Sequence, residues 1–409
     1  MVTTYTLAGT ALLPKQEFRE SSRIAGDDVL ERVLTAIVVP AIAKALQQAG
    51  VADPKALLSR VLGQDYGNQP EQERHLRRLF ISQVLEPVGI AILHACEQIK
   101  SRQPGELLRT TIGEILGGEL AAAGRALAYL EAAAAAARGS GFRVQDVALT
   151  CDARHVERVV VGVLGPVLAD FCEVVWSYGC DVLLLSGRPS RMQTITDIVL
   201  AKTPVPPHRI IGMHRYRVGE TYPFRDAANR IDDPKTTAAV GAALCAQADG
   251  KLANFALRTR QLAIRSTARI IGKMDNNGQI RHENEYLRDL DLDRPPRGEV
   301  GFVLHFDAVT RLGFRQLPIE RWITTPLYIL EFANPNDAAK LHLPLKVQIS
   351  RREIDADGDI DQSAFELFRV TAVEDAEGDR QREGSVRLRL QTMHEQEGYW
   401  LDTGRLSGI

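Results

Sequence analysis

Cysteine is scarce in this chain and spaced for no purpose that depends on pairing. Five residues in 409, Cys96, Cys151, Cys172, Cys180 and Cys245, include no CxxC pair. An odd, scattered set excludes a disulfide framework and the usual zinc spacings, and suits small apolar core residues in a reducing compartment. An excess of one charge is also missing. Lys and Arg number 50 against 52 Asp and Glu, a formal net charge of −2, so nothing global marks a nucleic-acid or polyanion binder. No apolar run approaches the roughly 18 residues of a membrane span. The opening MVTTYTLAGTALL has no basic segment ahead of its apolar residues, so it is not a secretory signal. Neither a nucleophile elbow nor an HExxH helix is present. A cytoplasmic protein is the expectation, with export lacking a signal peptide left open.

What is present is ordinary globular material, 45% hydrophobic and 25% charged, long enough for two or three domains. Four regions differ in pattern. Residues 1–50 open with the β-rich Val2 to Leu7 and a hairpin-like return. A helix follows with Val29, Leu30, Val33, Leu34, Ile37, Val38 and Ile42 on one face. Asp27 or Asp28 is its expected N-cap, and Pro40 should kink or end it near Val39. Residues 51–142 read as almost wholly helical, closing with the run Ala132 to Ala137 and the stop Arg138-Gly139-Ser140-Gly141. Residues 143–255 read as α/β. A strand lies near Val144 to Thr150, followed by a long amphipathic helix and the apolar run Asp181 to Leu185, expected to be a strand buried on both faces. From residue 256 onward the pattern is β-rich: strands near 300–306, 323–332, 345–350, 365–373 and 386–392, a hairpin turn at Asn276-Asn277-Gly278, and a linker at 294–298.

Chemistry concentrates between Asp181 and Leu244. Gly187, directly after the apolar strand, lets the backbone turn sharply and approach a ligand. Arg188 can lay a planar guanidinium on a base or grip a phosphate. Pro234 pre-sets a helix start with Asp232 or Asp233 as cap, and Ala238, Ala239, Gly241, Ala242 and Ala243 would let that helix pack closely. Arg209, Arg215, Arg217, Arg225 and Arg230, interleaved with Tyr216, Tyr222 and Phe224, suit an anion or a partner, or an exposed loop packed by its own aromatics. His155, His208 and His214 have no metal spacing and read as solvated or structural. The acidic run Asp355 to Asp361 resembles a calcium loop, but EF-hand register puts Ala364 where a bidentate acid belongs, so a hairpin turn is expected and no metal ligand is assigned.

Two levels of resemblance follow from these motifs. Leu184-Leu185-Ser186-Gly187 resembles the adenosine loop of the actin, heat-shock-chaperone and sugar-kinase superfamily, and Pro234 to Ala243 resembles its closing P-x-x-A-V-x-x-G-A-A helix. Ile24 to Val29 is similar to the chaperones' L-G-G-E-D-F element near the ribose. Ala95-Cys96-Glu97-Gln98-Ile99-Lys100 is similar to their A-C-E-x-x-K helix, whose acid and base flank the adenosine. More specifically, AGDD, LLLSGRPSR, YPF and DPKTTAAVGA in this order resemble the SrfB virulence-factor family.

The resemblance implies an actin-like (ribonuclease-H-like) ATPase lobe from residues 1–50 and 143–255, a helical insertion at 51–142, and a linker with a β-rich domain over 256–409. It implies ATP or ADP with magnesium as ligand, held on the adenosine side by Ser186, Gly187, Arg188, Pro189, Gly26, Asp27, Glu97 and Lys100. The D-x-G-x-[GT] phosphate loops of the superfamily do not occur in the sequence. In the SrfB family the second such loop stands just before the strand matching Val2 to Leu7, so the first lobe is expected to lie outside this chain. No catalytic residue is assigned. The expected activity is binding and assembly, with a protein partner (encoded alongside it, or a second copy), no nucleic acid and no membrane span. Two alternatives stand beside this one: the C-terminal part of a genuine ATPase, and a scaffold docking a partner through its β domain.

Overall fold

Threonine, valine and tyrosine crowd the first residues, and in the computed structural model they form a strand, β1 (Val2–Ala8), that turns at Gly9 into antiparallel β2 (Ala11–Phe18). The structure describes residues 1–20, 24–63, 70–98, 106–248, 256–257, 268–290, 300–322, 324–334, 341–351, 368–390 and 399–409. The chain forms two units, Met1–Glu20 with Cys245–Glu395, and Ser21–Leu244 with Gln396–Ile409. These boundaries differ from the expected ones at 50, 142 and 255. The opening hairpin groups with the β-rich part, and residues 51–142 are not a body apart.

The second unit explains why. Helix α1 (Gly26–Val33) runs through a π turn (Leu34–Val38) into α2 (Val39–Gln48). Pro40 therefore does not end the helix, which changes from a π to an α turn just ahead of it, at Val39. A proline lacks the N–H that an α turn would use, and the wider π turn ahead of it absorbs the mismatch. Asp27 and Asp28 occupy the first turn and Ala25 is the N-cap, with Asp28 Oδ2 accepting from Ala25 N at 2.6 Å. After α3 (Pro54–Leu62), the same device recurs: α4 (Glu71–Phe80), a π turn (Ile81–Leu85), then α5 (Glu86–Glu97) with Pro87 in its first turn. The two π-interrupted helices pack together closely. A Cβ on Gly89 of α5 would stand 2.5 Å from Leu30 Cδ1.

The stretch 51–142 is not wholly helical. Strand β3 (Glu106–Thr111) precedes α6 (Ile112–Leu116) and α7 (Gly124–Ala136), and it pairs antiparallel with β4 (Ala148–Asp152). One apolar core runs through all of this, from Val29 through Leu62, Phe80, Leu85, Leu130 and Leu149 to Ile195. Residues of the stretch 51–142 thus share their core with the rest of this unit.

The unit continues with α8 (Ala153–Tyr178), β5 (Leu183–Leu185), α9 (Gln193–Lys202) and β6 (Ile210–Gly212), the last parallel to β5. This β-α-β step is the α/β element anticipated, but its strand is not buried on both faces. Val182 is 49% and Leu184 59% exposed, because among the described residues β5 has only β6 beside it. Helix α10 (Thr236–Ala248) likewise leaves most of its small residues exposed, contrary to the close packing expected of them.

The β-rich unit resumes with β7 (Ala256–Leu257), parallel to β2. Strands β8 (Ile270–Met274) and β9 (Ile280–Leu287) turn at Asn276-Asn277-Gly278, where Gly278 has φ 74° and Asp275 Oδ1 accepts from Asn277 N and Gln279 N. Then come β10 (Gly301–Phe306), β11 (Thr310–Arg315), β12 (Thr325–Phe332), β13 (Leu345–Arg351), β14 (Phe368–Glu374), β15 (Arg380–Gln381) and β16 (Val386–Leu390). They form sheets ordered β16-β12-β11-β8-β9 and β10-β13-β14-β15. Alternate residues such as Phe302, Leu304 and Phe306 face a core shared by both sheets, the period-2 burial of a sandwich. The acidic run at 355–361, the linker at 294–298 and Lys100 lie outside the described residues.

A last helical turn, α11 (Trp400–Thr403), belongs to the helical unit. Trp400 and Leu406 enter its core, Leu406 N donates to Leu62 O at 2.8 Å, and Ser407 N donates to Glu31 Oε1 at 2.6 Å. Two helical stretches, Glu71–Glu97 and Ala153–Tyr178, are long and apolar enough to cross a membrane by length and composition alone. Helices were expected in both places, but not ones of that length and apolarity. In the first, Phe80, Ile81, Val84, Leu85, Val88 and Ile92 are all 0% exposed within the unit, so its apolar face is accounted for by the core. Replacing Phe80 by Ala should lower stability by about 3–5 kcal/mol, read as an earlier denaturation midpoint. An unchanged midpoint would contradict this account of the core.

Candidate functional site

Gly187 follows β5 with φ 82°, a conformation that a side chain strains against. A Cβ there would meet nothing closer than Pro189 Cδ at 4.0 Å, so the glycine serves the turn rather than a tight contact. The turn then tightens into a short 3-10 segment, Arg188–Arg191, in which Ser190 Oγ donates to Gly187 O at 2.6 Å. Its rigidity sets the direction of two arginines. Arg188 Nε lies 3.3 Å from Glu97 Oε1, and Arg191 Nε lies 3.4 Å from Glu97 Oε2. Glu97 ends α5 and its side chain is only 3% exposed. A carboxylate so withdrawn from water needs charged partners on both oxygens, and the loop supplies them.

The other expected residues join this constellation. Gly26 opens α1 where a Cβ would stand 3.7 Å from Pro189 Cγ, so the helix start and the loop touch. Ser186 Oγ lies 2.9 Å from Thr237 Oγ1 and donates to Pro234 O at 3.1 Å, which ties the loop to the start of α10. The helix begins at Thr236 rather than at Pro234, and ahead of it Asp233 Oδ1 accepts from Lys235 N at 2.9 Å. Asp27 is turned elsewhere: Tyr399 donates its hydroxyl to Asp27 Oδ2. Burial and then that bond push the Tyr399 hydroxyl pKa up, and burial followed by the Asp27 charge raises the Glu86 carboxyl. So Ser186, Gly187, Arg188, Pro189, Gly26 and Glu97 converge, whereas Asp27 anchors the C-terminal turn.

A cavity of about 330 Å³ opens at this point, lined by His94, Glu97, Gln98, Arg188, Arg191, Asp232 and Asp233. Five of these were not singled out as ligand contacts from the sequence. The signal for two was available, because His94, Glu97 and Gln98 stand at i, i+3 and i+4 on one helix face. Asp232 and Asp233 were read only as caps, and Arg191 sits one short turn beyond Arg188. Among the described residues no group of three or more His, Cys, Asp or Glu is placed to hold a metal. All five cysteines are free, and burial first of all pushes the Cys96 and Cys151 thiols up to about 11.

The model of the virulence factor SrfB family matches residues 1–407. The chain belongs to the SrfB family. That assigns it a virulence-associated role at the level of the family, and no curated protein matches it. In this SrfB chain the SGRPS and DPKTT motifs that carry the resemblance are the two segments that Ser186 joins.

Beside the cavity, the arginine-rich loop is held differently from expectation. Tyr222 is 9% exposed, but Tyr216 and Phe224 are about half exposed, so these two aromatics do not pack it. Arginine side chains do: Arg225 bonds Tyr222 O at 3.1 Å, and Arg230 pairs with Asp226 at 2.9 Å. The backbone N–H of Arg230, and then its side chain, lower the Asp226 carboxyl. His214 is held down at about 4 by burial and by the charges of Arg215, Arg191 and Arg230. Its ring should therefore stay neutral from pH 7 to below 5. An NMR titration of the His214 ring protons should show a midpoint near 4, and a midpoint near the ordinary value of about 6.5 would contradict the positive surroundings described here.

Proposed function

We propose that the cavity between the end of α5 and the 186–192 loop takes the purine nucleoside end of a nucleotide, ATP or ADP, and that this SrfB chain acts by binding and assembly. The observation that carries the reading is the Glu97 pairing. Two segments about 90 residues apart, each similar to an adenosine-side element of one superfamily, meet at the wall of one cavity through Arg188 and Arg191. The cavity volume lies at the small end of ligand sites, a size suited to a nucleoside.

The donor set fits the ligand. Asp232 and Asp233 offer acceptors to ribose hydroxyls or an exocyclic amine, Gln98 offers both donor and acceptor, and the Arg188 guanidinium offers a flat face to a base. The same reading takes the α/β part of the second unit as an actin-like lobe. It assigns no hydrolytic step to these residues. Magnesium would arrive with the nucleotide's phosphates.

Titration of the whole chain with ADP and magnesium, followed by thermal unfolding, tests this. At about 100 times its Kd a ligand adds roughly 2.7 kcal/mol, a rise of several degrees in Tm. Arg188→Ala should reduce that rise, and Gly187→Val should abolish it. If ADP leaves the wild-type Tm unmoved, the nucleoside reading is wrong.

A further inference from the structure

The 3-10 turn Met213–Arg215, just after β6, packs against the 3-10 turn Arg188–Arg191. The bridges Arg217 with Arg230 and Arg225 with Ile231, together with Ile231 N donating to Tyr216 O at 3.2 Å, bring the 230 segment alongside. Three arginines from three chain segments are thus brought near His214, close enough for their charges to bear on its ring. Each is braced on part of its guanidinium. Arg191 donates from Nη1 to Asp232 O at 2.6 Å and pairs Nε with Glu97, Arg215 donates from Nη2 to Gln193 Oε1 at 2.9 Å, and Arg230 sets Nε and Nη2 against Asp226.

The nitrogens left over are what matters. Arg191 Nη2, Arg215 Nη1 and Arg230 Nη1 have no partner among the described residues. Arg215 Nε donates to His214 Nε2 at 3.1 Å, so the ring proton of the neutral imidazole is on Nδ1. That Nδ1 is buried and likewise has no acceptor among the described residues. Gly212 leaves room for the ring, since a Cβ there would lie 3.0 Å from His214 Cε1. Guanidinium groups fixed in this way are pre-organised donors, and their planar forks match tetrahedral oxyanions.

We infer that Arg191, Arg215, Arg230 and the Nδ1–H of His214 form a binding site for a phosphoryl oxyanion, beside the cavity and sharing only Arg191 with it. This goes beyond the nucleoside reading and, Arg191 apart, stands on residues that reading does not use. The positive surroundings that hold His214 neutral agree with it. The oxyanion would come either from free phosphate or pyrophosphate, or from the phosphate end of a nucleotide seated in the cavity.

Calorimetric titration of the full chain at constant ionic strength separates these sources, with pyrophosphate, adenosine and ADP as probes. Pyrophosphate should bind saturably, and Arg215→Gln or Arg230→Gln should weaken it about tenfold or more, the worth of a charge-assisted contact. Adenosine affinity should be unchanged by either substitution. If Arg215→Gln fails to fold, His214→Gln serves in its place, with the same expected loss. ADP binding more tightly than adenosine, with the advantage lost in Arg215→Gln, makes the nucleotide the source; equal affinities with pyrophosphate still bound make it the free anion. Pyrophosphate binding without adenosine binding supports this site and removes the nucleoside reading. No saturable pyrophosphate binding, or affinity untouched by the substitutions, overturns it.

Discussion

The Glu97 side chain is almost wholly covered, 3% exposed, and the second unit places a guanidinium against each of its oxygens. An isolated carboxylate so buried would be strongly unfavourable. Here each oxygen faces a guanidinium from a turn held by the positive φ of Gly187 and the Ser190 bond to Gly187 O. Because Arg188 and Arg191 are constrained by Glu97, the loop between β5 and α9 is fixed to the end of α5. Arg191 then reaches the Asp232 carbonyl and helps define the cavity rim. Removing the acid would release both arginines, and would loosen the link between the helical core and the α/β step.

That link matters because the core beneath it is continuous. The π turns ahead of Pro40 and Pro87 let two long helices pass their prolines unbroken and interlock where Gly89 admits Leu30 and Leu34. The C-terminal turn adds Trp400 and Leu406 to the same core and gives Asp27 a hydroxyl partner in Tyr399. Ends of the sequence some 370 positions apart therefore stabilise the helix whose first residue touches Pro189. The β-rich unit is built on different terms, with two sheets sharing an aromatic core and a buried Arg315–Glu285 pair.

Much of this was legible in the residues. The opening hairpin, the Asn-Gly turn, the alanine-run stop at Arg138 and five β segments follow from local pattern, which requires no tertiary knowledge. Ser186, Gly187, Arg188, Pro189, Gly26 and Glu97 were grouped from motif order as a resemblance, and in the fold these residues lie near one another. Other features depended on contacts that sequence spacing does not encode. Pro40 was expected to kink or end its helix, which instead continues through a π turn, β3 lay within a region of helical composition, and the apolar run at 183–185 leaves one face exposed at Leu184. Asp27 matched a ribose-side motif but turns to Tyr399, a residue far away in sequence. Arg215 and Arg230 already stood among the arginines suited to an anion, but Arg191 did not, and only the two packed 3-10 turns and the bridges near 217 and 231 bring the three segments together.

The central claim is that a nucleoside sits between α5 and the 186–192 loop, and covalent mapping tests it most directly. Photolysis of the full chain with an 8-azidoadenosine nucleotide, followed by peptide analysis, should label peptides containing His94 to Gln98 and Ser186 to Met192. Excess adenosine should suppress that labelling. Labelling confined to other peptides, or unaffected by adenosine, would contradict the account.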